Sequence, residues 1–293
     1  LRDNGPNQLA KGILYMALAV FFFSLMNLGV KLLPNIPVFE LVLFRSTIAA
    51  TLAFSAIKAR GMRAWGNRVD LLMLRGMFGF VALLTFFYTL QRLPLASAVT
   101  IQYLSPLFVA AFSVILLKEK MSPWQWMWFV LSSVGVALIK GFDFRVSGWL
   151  LGLGVASALF SGLAYTTVRK LRETDHPLVV TFYFPLVTIP FSAAISSFDW
   201  VTPQGWDWVV IAAMGLTAQL GQYFMTMSLH NEKASIVASV KYTGVLYGLL
   251  FGFLIFGETY TWQSFIGILL VFSGVAFNLL TGKKAKKVNF KGD

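Results

Sequence analysis

Long apolar stretches alternate with short polar connections along the whole chain. Ten stretches read as membrane-spanning helices: 12–33, 37–57, 71–91, 95–117, 123–140, 148–169, 177–197, 207–229, 234–256 and 262–281. At helical rise, about twenty residues cross the roughly 30 Å hydrocarbon core of a bilayer. The connections are short, which suits an antiparallel helical bundle. The first stretch shows no evident cleavage site and has further spans behind it, so it reads as a span and not a removed leader.

Polar residues inside these stretches stand out against that background. Ala234–Glu258 is almost wholly apolar and carries one lysine, Lys241. An ammonium at that depth costs about 2.5–3.5 kcal/mol on insertion scales, so it needs a cavity or a partner. Gly244, Gly248 and Gly252 recur every four residues on the lysine's face, a spacing that predicts close helix approach there. Arg45 lies about 12 Å into the second span and carries the same expense. Glu40 is turned about 140° away from it along the helix, so a direct pair within that helix is not expected. Arg75 is nearer the end of the third span, within reach of the interface, and Lys31 closes the first span.

The pattern repeats. Shifted by 139 residues, IQYLSPLFVAAFSVILLKEK falls on VKYTGVLYGLLFGFLIFGET, so that Tyr103 meets Tyr242, Leu107 meets Leu246, Phe112 meets Phe251 and Glu119 meets Glu258. The same offset places Gly135–Ala137 on Gly274–Ala276 and Gly76 on Gly215. One ungapped offset through three helices reads as an internal duplication, with halves 1–141 and 142–282 and a basic tail 283–293. An odd number of spans per half inverts the second half relative to the first.

Charge adds the orientation. The chain is 57% hydrophobic and only 12% charged, and its net charge of +12 sits in short loops and the tail. That distribution reads as membrane topology and not as nucleic-acid binding. Lys58, Arg60, Arg63 and Arg68, then Lys118 and Lys120, then Arg169, Lys170 and Arg172, then Lys233 and the tail lysines share one side; Arg92, Lys140 and Arg145 take the other. The bias predicts both termini in the cytoplasm and the chain in the inner (plasma) membrane. Cysteine is absent, so no disulfide enters the argument.

These features together resemble the drug/metabolite transporter superfamily, EamA type: five-plus-five duplication, LLKEK…W…SSVGVALI and LIFGE…W…FSGVAFNLL endings, and a basic tail. The resemblance implies a central cavity lined by spans one to four and six to nine, with spans five and ten peripheral. It also implies export or exchange of small metabolites such as amino acids. Glu119 and Glu258, at span ends, read as structural carboxylates.

The residues themselves carry no enzyme signature. His176 and His230 are the only histidines and lack metal-ligand spacing, no Walker A pattern occurs, and no nucleophile–base pair can be read. No cofactor is expected. Gly215, Gln219 and Gln222 share one face of span eight, with Tyr223 beside them. Gln102 and Tyr103 occupy the repeat position of Lys241 and Tyr242, and Asn27 and Tyr165 stand about one repeat apart. Pro106, Pro185 and Pro190 mark expected kinks.

The expected substrate site is therefore Asn27, Arg45, Tyr88, Gln102, Tyr103, Gln219, Gln222, Tyr223, Lys241 and Tyr242. The cations would bind an acid group, while amides and phenols supply hydrogen bonds. This describes a secondary transporter of a small anionic or zwitterionic metabolite working by alternating access. The alternatives are a flippase for a lipid-linked substrate and a non-transporting receptor or scaffold. Expected partners are the small-molecule substrate and membrane lipid, with a homodimer left open.

Overall fold

A computed structural model describes residues 6–93, 95–119, 121–140, 147–256 and 262–289. The described residues are helical throughout, joined by short turns. In order they form α1 (Pro6–Leu32), α2 (Val38–Ala59), α3 (Val69–Arg92), α4 (Leu95–Gln102), α5 (Ser105–Leu117), α6 (Pro123–Lys140) and α7 (Gly148–Leu171). Then follow α8 (Pro177–Ser196), α9 (Asp207–Asn231), α10 (Ala234–Val240), a 3-10 turn (Lys241–Thr243), α11 (Gly244–Phe256) and α12 (Trp262–Asn289).

Among the described residues, seven segments are long and apolar enough to cross a membrane: Leu9–Leu32, Val38–Ala59, Val69–Arg92, Gly148–Leu171, Pro177–Ser196, Asp207–Asn231 and Ala234–Ile255. The protein is thus a polytopic, all-helical membrane protein. The other three stretches read as spans are helical too: 95–117 as the short helices α4 and α5, and the remaining two within α6 and α12. The last helix runs on to Asn289, beyond the expected start of the tail.

Two of the predicted helices are broken, and the breaks occupy matching places. One lies at Tyr103–Leu104, the other at Lys241–Thr243, one repeat length later. Pro106 accordingly does not kink a continuous helix. It stands in the first turn of α5, where a missing N–H costs nothing. Pro185 and Pro190 lie inside α8, which remains helical through both.

The helices pair in a reciprocal way. α1 packs on α9 and α3 on α7; α2 meets both α8 and α9, and α3 also meets α8. α6 and α12 pack on each other at close range. Close approach is enforced by glycine. A Cβ on Gly76 would lie 2.6 Å from Val187, and one on Gly215 would lie 2.6 Å from Ile48. The glycine series of α11 behaves otherwise. Gly244 does sit under the Tyr103 hydroxyl and Val20, but a Cβ on Gly248 would meet open space within 4 Å. The close-approach reading of that face therefore holds at Gly244 and fails at Gly248, while the side of the helix around Gly252 lies outside the described side chains.

Candidate functional site

A cavity of about 130 Å³ lies among α1, α2, α3, the α4–α5 break, α7, α8, α9 and the Lys241 turn. That is about ten times what one water needs. The helix breaks bring polar residues to it. α4 ends at Gln102, and Tyr103 and Ser105 follow at the wall. Later in the chain, α10 stops at Val240, and Lys241 and Gly244 reach the same space.

Three cations line this cavity: Arg45, Arg75 and Lys241. Among the described residues, none that lines it is acidic. Arg45 and Arg75 are each 1% exposed. Both guanidinium groups lie against the Phe184 ring, at 5.2 and 4.3 Å from its centroid. Arg75 donates from Nη2 to Gln222 Oε1 at 2.7 Å. Nε and Nη1 of both arginines are buried without a hydrogen-bond partner among the described residues. Lys241 donates from Nζ to Ser105 Oγ at 3.0 Å, and the same ammonium lies 4.2 Å from the centre of the Tyr165 ring.

Uncharged residues complete the wall. Asn27 reaches it from α1, and its Oδ1 is buried without a partner among the described residues. The Gln102 amide is tied to α7: Nε2 donates to Ser161 Oγ at 2.9 Å, and the Ser157 hydroxyl lies 2.9 Å from Oε1. Tyr103 stacks on Tyr242.

Six of the ten residues expected at the site from sequence line the cavity: Asn27, Arg45, Gln102, Tyr103, Gln222 and Lys241. Four stand elsewhere. Tyr88 lies in the last turns of α3, its ring centre 3.6 Å from the Arg92 guanidinium. Gln219, one turn before Gln222, is buried but not part of the lining. Tyr223 packs edge-on against Phe224. Tyr242 is wholly buried behind the wall, its hydroxyl 2.8 Å from Ser133 Oγ on α6. In the other direction, the sequence left open whether Arg75 snorkels to the interface or faces inward. The structure turns it inward, and the signal was available: Gln222 is a buried acceptor on a helix that packs against the same core.

The remaining charges serve structure. Glu40 accepts from the Val201 backbone N–H at 2.6 Å and is not in the cavity wall, as its angle from Arg45 predicts. Lys31 caps the end of α3, 3.5 Å from the carbonyls of Leu90 and Leu93. Lys118 ends α5 in a left-handed turn with φ of 53°. That turn aims Glu119 at Arg169 Nε, 3.3 Å away, and at the N–H groups of Ala234 and Ser235. Arg169 also donates to the Leu229 carbonyl at 2.8 Å. His176 caps α8, its Nδ1 accepting from Leu178 N–H at 3.2 Å. Burial, and then the charge of Arg60, lowers its pKa below the ordinary imidazole value. Glu258 lies outside the described residues.

The sequence pattern of the EamA-like transporter family matches residues 10–141 and again 148–280. The chain belongs to the EamA-like transporter family. It is therefore a transporter-family protein and not an enzyme. Among its curated relatives is the pseudopaline exporter CntI of Pseudomonas aeruginosa, 31% identical over 253 residues, covering 85% of this chain and 89% of that protein. Another is solute carrier family 35 member G1 of Homo sapiens, 30% identical over 279 residues, covering 89% and 76%. A solved crystal structure superposes with a TM-score of 0.81 at 20% identity, covering 94% of this EamA-like chain and 99% of the other. At that identity the likeness speaks for the fold alone.

Proposed function

We propose that this chain is a secondary transporter that exports or exchanges a small organic solute bearing an acid group. The observation that carries the reading is the cavity with three cations and no acidic lining residue. Buried cations without a counter-charge are costly, and a bound acid group relieves that cost. The likeness to a pseudopaline exporter supports outward transport.

Alternating access would run between two inverted halves, 1–141 and 142–282, of five crossings each, with the tail 283–293 cytoplasmic. The reciprocal helix pairing and the matching helix breaks support that arrangement, since discontinuous helices at a repeat interface are a common transporter site. The loop charge bias supports cytoplasmic termini in the plasma membrane.

Efflux from proteoliposomes loaded with labelled acids, amino acids and a lipid-linked sugar tests the reading. Release of a water-soluble acid that depends on the protein is the expected result. Movement of the lipid-linked compound alone would replace this reading with a flippase.

A further inference from the structure

The three cations of the cavity are held in two groups by different partners, and each group is taken as one pole. One is the guanidinium pair of Arg45 and Arg75, held on the Phe184 ring of α8. The other is Lys241, held on the Tyr165 ring of α7 and on Ser105. Four buried N–H-bearing atoms of the first pole, Nε and Nη1 of each arginine, have no partner among the described residues. Planar guanidinium forks match a carboxylate through paired hydrogen bonds, while an ammonium acts as a compact point charge. One acid group placed on either pole leaves the other pole unneutralised. A zwitterion does worse, because its amine enters a space with three cations and no carboxylate.

We propose that the cavity selects a dianion with two spaced acid groups and no amine, a short dicarboxylate. One carboxylate sits on the Arg45–Arg75 pair and the other on Lys241 and Ser105. This inference rests on the transporter reading and names the substrate class of the same site. A phosphate monoester offers the same net charge from another source, but concentrates it at one pole, and so ranks below a dicarboxylate.

The test uses the purified full-length protein and five probes: succinate, glutarate, acetate, alanine and glycerol phosphate. Affinity is read by ligand-induced thermal shift, and exchange by counterflow in proteoliposomes. A dicarboxylate should bind at least about thirty-fold more tightly than acetate or alanine, the effect of one additional buried charge pair. Arg75→Gln and Lys241→Met should each bring dicarboxylate affinity down to that of acetate, since each removes one pole and leaves the other. Arg75→Lys keeps the charge and should retain the preference for dicarboxylates. If Arg75→Gln does not yield monodisperse protein, Lys241→Met decides. Dicarboxylates binding no better than acetate, alanine binding as well as succinate, or glycerol phosphate binding best would each overturn the proposal. Transport of acetate or alanine alone would overturn it and leave the transporter reading standing. Dicarboxylate binding with no exchange of any probe would do the reverse.

Discussion

The rings of Tyr103 and Tyr242 stack with centroids 6.1 Å apart and 30° between their planes. The two residues are 139 positions apart, the spacing at which the two halves of the sequence match. Under the proposed inverted repeat, a residue that touches its own equivalent lies on the relating axis. Gly135 and Gly274 obey the same rule at a distance: a Cβ on Gly135 would lie 2.7 Å from the Gly267 carbonyl, and one on Gly274 would lie 2.8 Å from the Trp128 carbonyl. Gly267 and Trp128 are themselves one repeat apart. Such an exchange of contacts is what the proposed two-fold relation between the halves requires, and a simple translation would not produce it.

A first prediction follows from that glycine pair. Gly135→Leu and Gly274→Leu each force a side chain against backbone that cannot yield. Each should destabilise the protein by about 1–3 kcal/mol, as overpacking does. Because the two sites are equivalent, their losses in melting temperature should be similar. A large loss at one and none at the other would argue against the repeat.

Much of this was legible in the sequence. Helix positions followed from apolar run length, since lipid demands it, and the 139-residue offset is a feature of the letters alone. Six of the residues that line the cavity followed from the cost of placing polar groups in lipid. The failures share one cause. Tyr88, Tyr223 and Tyr242 have rings that are equally stable against lipid, aromatic neighbours or a cavity, so polarity does not say which way they face. Arg75 was left open because sequence depth alone allows an arginine to snorkel, and only the turn of α3 toward Phe184 and Gln222 decides against it.

Gln222 holds Arg75 through its only described side-chain hydrogen bond. Gln222→Leu removes the acceptor and leaves the guanidinium less satisfied in a dry setting, costing about 1–3 kcal/mol of stability. Gln222→Glu supplies a full counter-charge. It should stabilise the empty protein and weaken binding of an acid substrate, because the carboxylate competes for the same arginine. Melting temperature and substrate affinity measured together check both signs.

Glu119 links the end of α5 to α7 and to the start of α10. The pair with Arg169 is nearly dry, with side-chain exposures of 9% and 5%. Glu119→Ala strands a buried guanidinium and should cost about 3–5 kcal/mol, whereas Glu119→Gln keeps one acceptor and should cost less. Thermal denaturation of the two variants orders them. Equal and negligible losses would show that the network contributes nothing to stability.

Orientation is checked on the cysteine-free chain with single cysteines at Lys284 and Asp199. Cytoplasmic termini require Lys284→Cys to resist an impermeant thiol reagent in intact cells and Asp199→Cys to react. The opposite labelling pattern would invert the topology.

Lys241 carries the sharpest test of the site. Its ammonium is held by Ser105 at 3.0 Å and by the face of Tyr165, at the point where α10 gives way to the 3-10 turn. Lys241→Met keeps the apolar stem and removes the charge. A substrate carboxylate would then lose its counter-charge in a dry site, which costs about 2–5 kcal/mol of binding. Lys241→Arg keeps the charge but changes its shape, and the guanidinium must find room beside Tyr165. A lysine that only packs predicts the reverse order: Met tolerated, Arg disruptive. A lysine that binds substrate predicts a folded but inactive Met variant and partial activity with Arg. Melting temperature separates folding from transport in both variants. Normal transport of an acid substrate by well-folded Lys241→Met protein would remove Lys241 from the binding site.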